Sequence, residues 1–532
     1  MHFVHVMNRS IAAALIAMLG LAAVTASSAK ATPQVVITTR SDARAATISP
    51  LLAGSQFNFF ATPIKQRLNS PGLLDSWRDA HIELLRYPGG TWGDHYVWDH
   101  PDLSYFAVPY ANAKTIITPE EFVRTCRAIG AEPIFQVNMA CTGHSIDHRV
   151  NPTKIDDIRE GAQWAAGWVR EANIKNGWHV KYWELGNEVW IWLRPDEYAR
   201  AVAVYSDAMR AVDPSIKIIA CGLSSKAGPF NASWLAFPGD PNWKPRTANS
   251  NEPDAWNKAL FSIASGKFDY LAPHPYVDYK GGDAPRDVYL GTVKQVWENA
   301  PLEGQAEILK ASGTRVKLAI TEWSCNFSRC VSAKGGLYPP LYFYTLGNGI
   351  NVAHYLGRII DGGQADLAVL HSLDEIQTLY YWPKKELAKT PLDHGPSLAL
   401  ALWGNHLGSR RLVQSVAGSP DLTIDGKAYP GVFLYASEAP KFIYLMAINL
   451  DPDASRTFVW RHEGARLAKD GELSLVTGPA LDSDNWASWD QPTALLHIDK
   501  RSITQSKGMV EFSLPPFSMA GVTLTKVTTK AN

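Results

Sequence analysis

Cysteine is scarce, charge of one sign is missing, and long apolar runs are nearly absent. Five cysteines in 532 residues allow at most two bridges and leave one thiol over. Cys325 and Cys330 can close a tight loop, Cys126 and Cys141 can pair, and Cys221 ends an apolar strand as a buried free thiol, but spacing alone fixes none of these. With 51 basic and 51 acidic residues, the chain has no electrostatic footprint for nucleic acid or an anionic membrane. Its one long apolar run, Ile11–Val24, follows Arg9 and precedes the small-x-small site Ala29-Lys30-Ala31. That pattern reads as a secretory signal peptide over 1–31, too short to span a bilayer. No later segment is long enough to cross a membrane, so a secreted or periplasmic protein is expected.

Aromatic residues, by contrast, are plentiful: 19 Trp and 20 Tyr. Flat amphipathic rings suit stacking on sugars, and core filling is the competing use. The length exceeds what one ordinary core supports, so two domains are expected. The sequence sets no oligomeric state, and a homo-oligomer is compatible with it.

The stretch Lys181–Trp190, KYWELGNEVW, holds a short buried strand that leaves through Gly186-Asn187 onto Glu188. Val316–Trp323, VKLAITEW, is a second apolar strand and ends on Glu322. Strand signals also occur at Leu51–Phe60, Glu83–Tyr87, Glu132–Asn138, Ile216–Cys221, Phe268–Ala272 and Asp366–Leu370. Helical patterns such as Pro119–Ile129, Ile155–Asn173 and Pro195–Val212 alternate with them. Eight strands with intervening helices close into an α/β fold, a (β/α)8 TIM barrel over 51–407.

From 408 to 532 the texture becomes short alternating strands with Gly, Pro, Asp and Asn between them, a C-terminal antiparallel β-sandwich. The signals lie at Leu422–Ile424, Val432–Tyr435, Phe442–Asn449, Arg456–Trp460, Glu472–Val476, Leu495–Ile498, Val510–Leu514 and Ala520–Thr525. Residues 32–50, with a strand near Val35, are expected to pack on it.

Barrels carry their chemistry at strand C-termini, and Glu188 and Glu322 sit at the ends of the fourth and seventh strands. Two carboxylates there can flank one glycosidic bond; helix capping is the alternative. Arg86-Tyr87-Pro88-Gly89-Gly90 follows the second strand, where the arginine can orient a carboxylate and the glycines let backbone approach a ligand. Phosphate-cradling glycine spacings are absent. Trp92, Tyr96 and Trp98 offer stacking faces or ordinary packing. Cys141, His144 and His148 lack a fourth partner for zinc, so neither a metal nor a cofactor is assigned. Asn231 and Asn326 open glycosylation sequons.

These motifs, with ISPLLAGSQF near the start, RYPGGTWGDHYVWD, WELGNE, HPY at 274–276, TEW, and LPPFSMAGVTL near the end, resemble the clan A retaining glycoside hydrolases. The likeness is greatest to family 51 α-L-arabinofuranosidases. It implies Glu188 as acid/base, Glu322 as nucleophile, Asn187 on the sugar 2-OH and Tyr276 on the nucleophile. His274 joins the same mouth or is structural. The substrate implied is an oligo- or polysaccharide. Asn58 and Thr91 stand where the family usually has a glutamate and an asparagine that touch arabinose. Clan members cutting β-linked xylose, glucose or glucuronic acid share both glutamates and remain alternatives, as does a catalytically inactive carbohydrate-binding barrel.

Overall fold

A computed structural model describes residues 34–57, 71–94, 96–101, 116–139, 155–191, 193–224, 251–298, 302, 309–310, 312–313, 315–329, 342–372, 380–381, 386–387, 393–488, 491–492 and 495–527. The leader-like segment, Asn58, the Cys141/His144/His148 group, Asn231 and Cys330 lie outside the described residues.

The strands β2 (Gly54–Gln56), β3 (Leu84–Tyr87), β4 (Glu132–Val137), β5 (Tyr182–Leu185), β6 (Lys217–Cys221), β7 (Tyr270–Ala272), β8 (Lys317–Trp323) and β9 (Ala365–Leu370) form a closed barrel. Each pairs in parallel with the next, and β9 returns to β2. All eight fall on the strand signals of the sequence, with ends that shift by a few residues. The helices α1 (Pro71–Asp79), α2 (Pro119–Ile129), α3 (Ile155–Val169), α4 (Pro195–Val212), α5 (Pro253–Ile263), α6 (Pro285–Glu298), α7 (Leu346–Gly362) and α8 (Gly395–Asn405) follow the strands one for one. Local chemistry sets their ends. At α2, Thr118 and Glu121 form a capping box, Pro119 opens the helix, and Gly130 ends it at φ 83°.

Side-chain alternation divides each strand between two layers. Outward residues such as Tyr87, Phe135 and Trp183 join the main core under the helices. Inward residues Leu84, Ile134, Tyr182, Ile219, Ala272, Ala319, Leu367 and Val369 form an apolar plug. Two residues further along, the same inward rows carry Arg86, Gln136, Glu184 and Thr321, joined by Gln56 of β2, all buried. The barrel interior is therefore apolar at one end and polar at the other.

The N-terminal strand β1 (Gln34–Arg40) lies between Val413–Ala417 and Arg456–Glu463 in a four-stranded sheet completed by Met509–Leu514. A six-stranded sheet packs beside it, in the order Arg410–Arg411, Val432–Glu438, Phe442–Asn449, Ser518–Lys526, Leu467–Val476 and Asp499–Thr504. One expected strand forms apart from both sheets, and another does not form. Leu422–Ile424 pairs with Lys427–Pro430 in a separate hairpin, because Asp425 and Gly426 both take positive φ, 51° and 76°, in a two-residue turn. Leu495–Ile498 is not a strand, because Asn485 occupies both backbone groups of Leu496 at 2.6 and 2.7 Å; the strand starts at Asp499. Cys126, Cys221 and Cys325 are buried free thiols, and the suggested partners Cys141 and Cys330 lie outside the described residues. Among the described residues, no helix is long and apolar enough to cross a membrane.

Helices α7 and α8 meet through glycines: a Cβ on Gly395 would overlap the Thr345 carbonyl, and one on Gly349 would overlap Gly395 backbone. Gly349→Ala is therefore expected to lower stability by about 1–3 kcal/mol through overpacking. Gly362→Ala, with nothing within 4 Å, should leave the thermal midpoint unchanged or raised. Equal melting shifts for the two variants would refute the close-crossing account.

Candidate active site

The polar end of the barrel is built around Arg86. Its side chain is fully buried, and its donors reach four acceptors: Glu184 Oε2 at 2.5 Å, Gln56 Oε1 at 2.6 Å, Glu322 Oε1 at 2.7 Å and Asn187 Oδ1 at 2.8 Å. Those acceptors come from β2, from β5 and its exit turn, and from β8. A guanidinium presents several donors in a rigid fork, so one buried cation sets four side chains at once.

Glu322 reaches the mouth because β8 carries a bulge. Ile320 pairs with Ala368 and Trp323 with Leu370, three steps against two. The extra residue lets Thr321 and Glu322 both turn inward, while Trp323 packs outward on Tyr355 of α7. Oε2 of Glu322 accepts from the Tyr276 hydroxyl at 2.7 Å. The same phenol oxygen lies 2.7 Å from His371 Nδ1. With the phenol proton spent on Glu322, Nδ1–H of His371 donates to it.

Glu188 arrives by a tight exit from β5. Gly186 has φ 76°, and a Cβ there would meet Val189 Cγ1 at 2.5 Å and Met139 Cγ at 3.0 Å, so glycine is required on two counts. Glu188 itself adopts φ 43°, uncommon for a side-chain-bearing residue. Asn187 between them is pinned by its backbone N–H to both oxygens of Asp94 at 3.1 Å. Its side-chain carbonyl is committed to Arg86, so any hydrogen bond it gives a sugar is as a donor. Oε1 of Glu188 lies 3.0 Å from His274 Nδ1, whose Nε2 lies 3.0 Å from Thr321 Oγ1.

The structure thus brings Glu188, Glu322, Asn187, Tyr276, His274 and Arg86 together. Side-chain exposure is 27% for Glu188 and 6% for Glu322. Carboxylate oxygens of the pair and a ring nitrogen of His274 lie within 4.8 Å of one another. Three such donors could hold a small cation, but Arg86 and Tyr276 already occupy both oxygens of Glu322, and the set is a hydrogen-bonded acid–base group. Gly89 and Gly90 have φ 93° and 59°, and a Cβ on Gly90 would lie 3.7 Å from Glu322 Oε1. The Gly90 carbonyl accepts from Gln136 at 2.9 Å. Thr91 and Trp92 sit in the short helical turn Gly90–Gly93; their side chains, like Asn58, lie outside the described residues.

Of the rings that offered either stacking faces or ordinary packing, Trp98 and Tyr96 pack. Trp98 stacks on Trp168 at 6.1 Å, with interplanar angle 4°, and packs against Trp164 of α3. Tyr96 is fully buried, with its hydroxyl accepting from Tyr87 at 2.6 Å. Both fill the gap between barrel and helix ring. Sequence reading missed Gln56, Asp94, Glu184, Thr321 and His371. Glu184, next to Leu185 at the end of β5, and Thr321, adjoining Glu322, were reachable from strand alternation; His371, just past the end of β9, carried only its strand-end position.

Opposing effects set the charge of Glu322. Burial pushes its carboxyl up, but His274, His371, Arg86 and the Tyr276 hydrogen bond together outweigh that and hold it at about 2. His371 is itself driven down to about 4 by burial, so above that pH it is neutral and Arg86 is the permanent positive charge. Burial would lower His274, yet Glu322 and Glu188 outweigh it and the ring stays above its ordinary 6.5. Asp94, sealed off and burdened chiefly by desolvation, is pushed well above the ordinary carboxylate range.

The depressed Glu322 carboxyl contributes stability that is complete above its unfolded value of 4.5 and is lost as pH falls toward 2. Its size is on the order of 3 kcal/mol. Unfolding free energy should therefore drop more steeply between pH 5 and about 2 in the native protein than in Glu322→Gln. Parallel curves would show that Glu322 is not held ionised by its surroundings.

Residues 76–257 match the α-L-arabinofuranosidase 1 domain family. The probable α-L-arabinofuranosidase C of Aspergillus fumigatus is 27% identical over 179 residues, covering 29% of this chain and 32% of that protein. The intracellular exo-α-(1→5)-L-arabinofuranosidase of Acetivibrio thermocellus is 25% identical over 227 residues, covering 40% and 39%. The chain thus spans about a third of the length of the curated relatives it matches. In fold it resembles the α-L-arabinofuranosidase of Thermotoga maritima, solved with arabinose, at TM-score 0.66 and 20% identity over 92% of this chain and all of that one. It also resembles the family 51 arabinofuranosidase of Xanthomonas axonopodis pv. citri, at TM-score 0.65 and 16% identity over 92% and 99%. A Paenibacillus polymyxa xyloglucanase of family 44 has TM-score 0.58 and 13% identity over the same shares. The chain resembles the clan A glycoside hydrolases, and family 51 in particular.

Proposed function

We propose that this relative of the family 51 arabinofuranosidases is a retaining glycoside hydrolase that releases terminal α-L-arabinofuranosyl residues from oligo- or polysaccharides, exported behind its leader-like segment. The observation that carries the reading is the Glu188–Glu322 pair. One carboxylate oxygen of each lies within 4.8 Å of the other, an approach that fits the retaining separation of about 5–5.5 Å between the carboxyl groups better than the roughly 6.5–9.5 Å that an inverting enzyme needs for its water.

Glu322 attacks the anomeric carbon as Glu188 gives its proton to the departing oxygen, leaving a glycosyl ester on Glu322. Glu188, now ionised, takes a proton from water, whose oxygen attacks the same carbon, frees Glu322 and restores the starting configuration. Arg86 keeps Glu322 charged and aimed; Tyr276 steadies its other oxygen. A nucleophile that must not protonate and an acid that must exchange protons fit the sheltered and the more exposed carboxylate respectively.

The match of residues 76–257 supports arabinofuranose. Asn58 and Thr91, where the family usually has two sugar-contacting residues, favour a second reading: a clan A β-glycosidase acting on xylose, glucose or glucuronic acid. Two missing neutral hydrogen bonds, at roughly 0.5–1.5 kcal/mol each, lower selectivity by about one to two orders of magnitude without abolishing turnover. Comparing kcat/KM for nitrophenyl α-L-arabinofuranoside, β-D-xyloside, β-D-glucoside and β-D-glucuronide decides between them. Robust β-glycoside turnover with no arabinofuranoside cleavage removes the arabinose assignment. No turnover of any glycoside leaves only the inactive sugar-binding barrel.

Glu322→Ala is expected to lose activity and to yield inverted glycosyl azide when azide is added. Glu188→Ala should retain turnover of activated aryl glycosides and give azide product with retention. The reverse pattern would exchange the two roles.

A further inference from the structure

Five side chains form one hydrogen-bonded chain from the base of the mouth to Glu188, and the direction of every proton in it is fixed. Arg86 can only donate, and its Nε lies 2.5 Å from Glu184 Oε2. The other Glu184 oxygen, Oε1, accepts the Thr321 hydroxyl at 2.6 Å. Thr321 has one proton, and it is spent there. Its oxygen therefore offers only lone pairs to His274 Nε2 at 3.0 Å, so that nitrogen carries the ring's hydrogen. The neutral ring then turns a bare Nδ1 toward Glu188 Oε1, 3.0 Å away. A lone pair facing an ionised carboxylate is repulsive, and one proton between them removes the repulsion.

We propose that Glu184 and Thr321 are positioning residues that hold His274 as its Nε2–H tautomer, so that Nδ1 shares a proton with Glu188 and keeps the acid/base loaded. The transfer is a single proton moving between Glu188 Oε1 and His274 Nδ1, with no other bond changed. The inference rests on Glu188 being the acid/base. The charged groups facing His274 are Glu188 from the β5 exit, Glu322 of β8 at 3.7 Å, and Arg86 of β3, with Glu184 behind Thr321. The Trp190 ring closes the remaining side at 5.9 Å, and Tyr276 and His371 lie across Glu322. The raised proton affinity of His274, which burial alone would lower, accords with a shared proton.

Substituting one atom should reverse the chain. In Glu184→Gln, Arg86 still demands an acceptor, so the amide oxygen faces it and the amide NH2 faces Thr321. The Thr321 hydroxyl is then released to donate to His274 Nε2, and the ring becomes the Nδ1–H tautomer. Nitrogen-15 NMR of histidine-labelled protein reads this without substrate, the His274 signals being assigned by their loss in His274→Gln. The native neutral ring should show a protonated Nε2 and a bare Nδ1, and Glu184→Gln the opposite. A native Nδ1–H tautomer, or no change in Glu184→Gln, overturns the proposal.

Kinetics supply an independent arm. Thr321→Val should move the basic limb of kcat/KM to lower pH by about one unit. It should also cut kcat on alkyl glycosides, which need leaving-group protonation, about tenfold or more beyond any loss on nitrophenyl glycosides. Thr321→Ser should restore both. Equal losses on both leaving-group classes, with an unmoved pH profile, would make Thr321 a packing residue and overturn the proposal. If the native protein cleaves no glycoside, the hydrolase reading fails while the NMR arm still decides the tautomer.

Discussion

One buried cation holds the mouth of this barrel together. Arg86 is fully enclosed, and an unpaired charge in such a place is prohibitive; removing the partners of a buried pair typically costs about 3–5 kcal/mol. The fold answers with four acceptors from three separate segments of chain, including both Glu184 and Glu322. Two carboxylates against one guanidinium leave a net negative set, and the buried His274 and half-buried Glu188 are poised beside it. Strand register thereby becomes electrostatics: a one-residue slip of β3 would turn Arg86 into the helix layer and leave both carboxylates without a cation.

Strand alternation also explains what could be read from the chain. Barrel strands are buried on both faces, so they announce themselves as apolar runs between turns, and all eight were legible, including the two that deliver Glu188 and Glu322. Glu184 and Thr321 were overlooked because a polar residue inside an apolar run reads as an interruption until its row is known to enter a polar layer. The bulge in β8 has no composition signal at all; it follows from closure of the barrel against β9. His371 and Gln56 contribute through strand ends separated from Glu322 by long stretches of sequence.

Aromatic residues misled in the other direction. Proximity to Gly89 and Gly90 left stacking on a ligand open for Tyr96 and Trp98, but past Asp94, which still grips Asn187, both rings turn into the layer between barrel and helices. There Tyr96 meets Tyr87, and Trp98 meets Trp168. Both rings complete a continuous aromatic wedge with Phe122 and Phe135 under α2 and α3. Abundant Trp and Tyr thus served the core at these positions, where a large ring spans the gap between strand and helix with few rotatable bonds.

The two glutamates differ less in chemistry than in how their backbones are held. Glu322 belongs to a hydrogen-bonded strand, both its oxygens are taken, and little of it meets solvent, so its charge and position are fixed together. Glu188 sits past a required glycine in an uncommon backbone conformation, more exposed, with its contact to a titratable ring. Strain of this kind persists only where the surroundings over-determine it, and here Asp94 and Arg86 both grip Asn187 next door. In the proposed mechanism, rigidity on one side and proton exchange on the other are what let two identical side chains act differently on one bond. The barrel obtains that difference from a bulge in β8 and a glycine turn after β5.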